Sequence, residues 1–114
     1  MKRSILFVHV LALIGVAMSA ESAAVWHTAY VKLIMAEGEG TVRLAFTSEH
    51  PSCTNGGSPK WYYIKVGENS VTADGVRAMH ATALTAFALE RQVMINFDDS
   101  TTGCYINRLQ LLES

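Results

Sequence analysis

The side chains in this sequence able to bind or transform another molecule are scattered rather than gathered into a catalytic motif. His27, His50 and His80 lie far apart, on stretches of extended, turn-like and helical character, and none has the short spacing of a metal-ligand set. Asp98-Asp99-Ser100 puts two carboxylates together. Neighbours at a strand end point to opposite sides, however, and the run has the composition of a turn. No G-x-S-x-G, phosphate loop, H-E-x-x-H or C-x-x-C occurs. No catalytic residue, bound metal or cofactor is expected, and the chain reads as a non-enzyme.

Binding chemistry is better represented. In Trp61-Tyr62-Tyr63-Ile64-Lys65-Val66, alternation assigns Tyr62, Ile64 and Val66 to one face and Trp61, Tyr63 and Lys65 to the other. If the first set is core, Trp61 and Tyr63 form an exposed aromatic pair, able to stack on the apolar face of a sugar or to be covered by another subunit. Glu49, Ser52, Thr54, Asn55 and Ser58 add hydrogen-bonding groups just upstream. Trp61, Tyr63, Asn55 and Ser58 are therefore the candidate ligand-binding residues.

These side chains must be positioned by a small exported domain. Lys2 and Arg3, the apolar run Ile5 to Val16 and the small residues Ala17-Met18-Ser19-Ala20 have the three-part form of a secretory signal peptide. The apolar run is too short for a permanent membrane span. Residues 1–20 are expected to be removed, leaving 21–114 as one domain, periplasmic or secreted. Cys53 and Cys104 are the only cysteines, so in an oxidising compartment they are expected to pair. Without Lys2 and Arg3 the chain keeps seven basic against ten acidic side chains, a balance that argues against nucleic acid or an anionic membrane as partner.

Period and turn residues predict strands over Trp26–Met35, Thr41–Phe46, Trp61–Val66, Gln92–Asp98 and Tyr105–Leu112. In the first, Ala29, Val31, Leu33 and Met35 share one face and Thr28, Tyr30 and Lys32 the other. Glu37-Gly38-Glu39-Gly40 makes a tight turn, and Ser48 to Lys60 is too rich in turn formers to be regular. Thr72 to Leu89 has helical period, with Thr72 or Asp74 as N-cap and Val76, Met79, Ala83 and Phe87 as the core stripe. The order strand, strand, strand, helix, strand, strand is that of an all-β protein with one helix, a five-stranded OB-like barrel. A flat antiparallel sheet covered by the helix is the competing arrangement.

The helix is unusual in carrying no charge from Ala78 to Leu89. Twelve positions sample every helical face, so no side has the ordinary charged composition of a solvated surface. The small residues Ala78, Ala81, Thr82 and Thr85 allow close approach and are the candidate interface of a homo-oligomer. An Ala-rich surface helix chosen for propensity is the competing reading.

Cys53, Trp61-Tyr62-Tyr63-Ile64, the Ala-rich helix, Val93-Met94-Ile95-Asn96-Phe97 and Gly103-Cys104-Tyr105-Ile106-Asn107-Arg108-Leu109 together resemble small exported bacterial OB-fold proteins. They are similar to the pentameric B subunits of AB-type toxins, the subtilase cytotoxin class in particular. The resemblance implies a ring of subunits with helices near the axis and glycan recognition on an outer face. The family's sugar-contacting residues match no particular positions here. The expectation is an exported, oligomeric binding module for a glycan or cell-surface protein; a monomeric periplasmic structural or inhibitory protein acting through its loops is the alternative.

Overall fold

The computed structural model describes residues 24–113, and the expected export signal lies outside them. Five antiparallel strands, β1 (Ala24–Ala36), β2 (Val42–Phe46), β3 (Tyr62–Ile64), β4 (Gln92–Asp98) and β5 (Tyr105–Leu111), form one sheet in the order β3-β2-β1-β4-β5. The helix α1 (Ala73–Leu89) connects β3 to β4. The sheet curls until its two outer strands meet: Tyr63 N–H donates to Gly103 O at 3.3 Å, and Asn69 Nδ2 to Tyr105 O at 2.9 Å. The expected OB-like architecture is therefore the one observed, and the flat sheet is not.

β1 is longer than predicted and serves both halves of the sheet. Ala24 to Tyr30 pairs with β4, and Val31 to Ala36 pairs with β2. Val31 opposes Phe46 and Leu33 opposes Ala45, leaving Lys32 as the extra residue of a bulge. A one-residue insertion reverses the facing of everything after it. Strict alternation placed Leu33 and Met35 in the core; the bulge turns both out to solvent and brings Ile34 in.

The core lies between the inner sheet face and α1. Leu44, Tyr62, Ile64, Val93, Ile95, Phe97 and Ile106 are fully buried, together with Ala83 and Ala86 of the helix. Those two alanines let α1 lie close to the strands. Thr72 caps the helix, its Oγ1 accepting from Gly75 N at 3.0 Å. The predicted core stripe holds at Val76, Met79 and Ala83 but not at Phe87, which is 51% exposed. Ala86 takes its place: it is fully buried, and Phe87, about 100° further round the helix, is turned to the edge of the buried stripe. The third strand is shorter than predicted, and Val66, beyond its end, is exposed rather than core.

The long connection before β3 is tied down from inside. Cys53 and Cys104 form a disulfide with Cα atoms 5.7 Å apart, joining that connection to the start of β5. The buried Tyr62, packed edge to face on Phe46 and Phe97, accepts the His50 N–H on its hydroxyl at 2.9 Å. His27 Nε2 donates to Ser48 O at 2.7 Å, since a carbonyl can only accept.

Two predictions follow from this anchoring. Replacing both cysteines with alanine should remove roughly 4 kcal/mol, the chain-entropy value for a loop of 51 residues, as read by chemical denaturation. Burial pushes the Tyr62 phenol above its usual range. The neutral phenol's contribution is thus fully present below the ordinary tyrosine value and is lost as pH rises through the higher folded value. The thermal midpoint should fall more steeply with alkaline pH in the wild type than in Tyr62→Phe.

Candidate functional site

The ladder between β2 and β3 sets Arg43 opposite Tyr63 on the outer face. The Arg43 guanidinium lies 5.3 Å from the Tyr63 ring centroid and 5.8 Å from that of Trp61, within cation–π range of both. Its charge is met by Glu37 in an ion pair. Trp61 and Tyr63 are therefore brought together as expected, but half-buried around an arginine rather than standing free in solvent. Asn55 is engaged internally: Nδ2 donates to Thr102 O at 3.1 Å, and Oδ1 accepts from Gly57 N at 3.1 Å and Trp61 N at 3.4 Å. Ser58 is exposed beside them.

A second surface, which sequence reasoning missed, lies on the outer face of β1, β4 and β5. Here the register lines up Trp26, Asn96 and Arg108 in one row and Thr28, Met94 and Gln110 in the next, with Tyr30 beside Gln92 in a third. Trp26 is 49% exposed and Tyr30 46%, two open aromatic rings at either end of the patch. Asn96 is only 9% exposed, yet no side-chain hydrogen bond to it occurs among the described residues. Arg108 is exposed and enters no ion pair among the described residues. The sequence signal was the alternation of Trp26, Thr28 and Tyr30 along one face of the first strand. What it lacked was the partner strand: which β4 and β5 residues stand beside them is a matter of non-local register.

The acidic pair and the histidines, which the sequence sets aside as catalytic groups, have definite places in the fold. Asp98 Oδ1 accepts from Ser100 N at 2.8 Å, closing a turn. The fold does bring together two histidines that are distant in sequence, with the His27 and His50 rings edge to face at 5.6 Å. Among the described residues no group of three or more His, Cys, Asp or Glu side chains is arranged to hold a metal ion.

On α1, Ala78, Ala81 and Thr85 are exposed and Thr82 is half-buried. The Thr82 and Thr85 hydroxyls donate to Ala78 O and Ala81 O, at 3.0 and 2.9 Å, so neither asks for an external partner. The helix also exposes larger apolar groups: Leu84, Phe87 and Leu89. Phe87 and Ala88 wall a cleft of about 690 Å³ against Tyr30 and Val31, with Glu90 and Arg91 at its edge.

No protein-family model matches the chain, and no curated protein matches it. Two solved structures do match in fold. Human heat-labile enterotoxin in complex with a blood group A antigen analog superposes with a TM-score of 0.57 at 12% identity, over 79% of this chain and 86% of that one. The B subunit of human heat-labile enterotoxin from E. coli, carrying a peptide with anti-HSV activity, gives 0.58 at 10% identity, over 89% and 92%. The chain thus has the fold of an enterotoxin B subunit, as the sequence resemblance to AB-toxin B subunits implied.

Proposed function

We propose that this chain, built on the fold of an enterotoxin B subunit, is an exported, non-enzymatic, oligomeric module that binds a glycan on the outer face of β1, β4 and β5. The observation that carries this reading is the row Trp26, Asn96, Arg108. A half-exposed indole supplies the plane on which the C–H face of a pyranose stacks, and the neighbouring carboxamide and guanidinium supply donors and acceptors for its hydroxyls. Asn96 supports it further. Its carboxamide has no protein partner among the described residues and keeps its polar atoms open to solvent, so it can donate to and accept from a ligand hydroxyl. One of the fold neighbours is itself described in complex with a blood group antigen analog.

The surface around Trp61, Tyr63 and Ser58 is the second reading, favoured by the half-open aromatic pair flanking Arg43. Against it, the guanidinium already lies against the Trp61 ring, and Asn55 has spent its hydrogen-bonding groups on the loop. Assembly is supported by the charge-free α1, whose exposed side combines small residues with Leu84, Phe87 and Leu89. An apolar surface of that extent is more often covered than left to water.

A glycan array probed with residues 21–114 should give saturable binding. Trp26→Ala should remove it with a fall in thermal midpoint of only about 4–8 °C, the size of about 1 kcal/mol, since the ring is half exposed. Loss on Trp61→Ala with Trp26→Ala unaffected would transfer the site to the second surface. By sedimentation, the unmodified chain should exceed monomer mass at tens of micromolar, and Ala81→Asp should lower that mass while leaving the fold intact. A monomeric wild type would remove the assembly from the proposal.

A further inference from the structure

The centre of the proposed ligand face is not polar. Met94 occupies it, half-buried, between Thr28 and Gln110 across the ladder and between Gln92 and Asn96 along its own strand. Trp26 and Tyr30 stand diagonally to either side, two residues along β1 in each direction. An unbranched thioether ringed by carboxamides and aromatic planes is a poor floor for a bare hydroxyl. The hydroxyl would give up its water there and gain only a weak sulfur acceptor. It is a good floor for a methyl group, and thioethers and aromatic rings both pack well against one.

Resting on the glycan reading above, we infer that this face selects a saccharide carrying an N-acetyl group, with the acetamido methyl seated on Met94. The acetamido group is a methyl joined to an amide, and the surroundings supply both halves of its complement. Met94 takes the methyl. Asn96 and Gln110, each able to donate and to accept, take the amide N–H and C=O. A 6-deoxy sugar would offer the methyl without the amide, and would cover the Asn96 carboxamide without giving it a partner.

The test uses polymer-linked sugars in matched pairs, N-acetylglucosamine against glucose and N-acetylgalactosamine against galactose, with fucose as the 6-deoxy control, on immobilised wild-type protein. The acetamido member of each pair should bind about tenfold tighter, the lower end of what one apolar group in a fitted site is worth. Met94→Leu should keep that preference and Met94→Gln should bring it close to unity, while Trp26→Ala weakens both members alike. Equal binding within the pairs, fucose binding as well as the acetamido sugars, or a preference that survives Met94→Gln would overturn the inference and leave the glycan reading standing. No saturable binding to any sugar would overturn both. The wild-type comparison needs no variant to fold. Saturation-transfer NMR adds a second readout, in which the acetamido methyl should receive the largest transfer of any ligand proton.

Discussion

One strand holds both halves of this sheet together. β1 runs 13 residues, gives its first seven to β4 and its remainder to β2, and is bulged at Lys32, just after the change of partner. A regular strand would carry one phase along its length, and a strongly curled sheet cannot be built on it. The extra residue bends the strand and increases its twist, so that the β2–β3 side turns back toward β5. Closure, the core and the outer face all follow from that change of direction. Val31 and Ile34 can both point inward only because the phase resets between them.

Closure leaves little to the short β3. Three residues pair it to β2, and a single backbone hydrogen bond links it to the segment before β5. The covalent link between Cys53 and Cys104 stands where a longer ladder would otherwise be needed. Asn69 and Asn107 add side-chain bonds across the same seam, at 2.9 and 2.6 Å. A domain of this size buries only a modest share of its unfolded surface, so a disulfide that shrinks the unfolded ensemble matters more here than in a larger protein.

The proposed site inherits its shape from these constraints. Before the bulge, Trp26, Thr28 and Tyr30 face out, while His27 and Ala29 face the core side. β4 repeats the arrangement with Gln92, Met94 and Asn96 outward, and β5 adds Arg108 and Gln110. The resulting patch belongs to three strands with no loop in it, and a strand scaffold holds side chains more tightly than a loop does. Its polar groups are therefore preorganised, which lowers the entropy that ligand binding must overcome.

Much was determined by the sequence alone, wherever the cause is local. Two cysteines leave one pairing; Thr72 begins a helix because its hydroxyl meets the Gly75 amide a turn later. The order of the elements, read from period and turn residues, was enough for the barrel and for the likeness to toxin B subunits. Tertiary structure decided whatever depends on which residues become neighbours. Leu33 and Met35 face water because a bulge reset their phase, and Phe87 is exposed because the helix packs with Ala86 rather than Phe87 against the sheet. Trp61 is shared with Arg43, and Trp26 stands beside Asn96 and Arg108, only once strands distant in sequence have been paired in register. Alternation says which residues share a face of one strand; it carries no information about the strand on the other side of the hydrogen bonds.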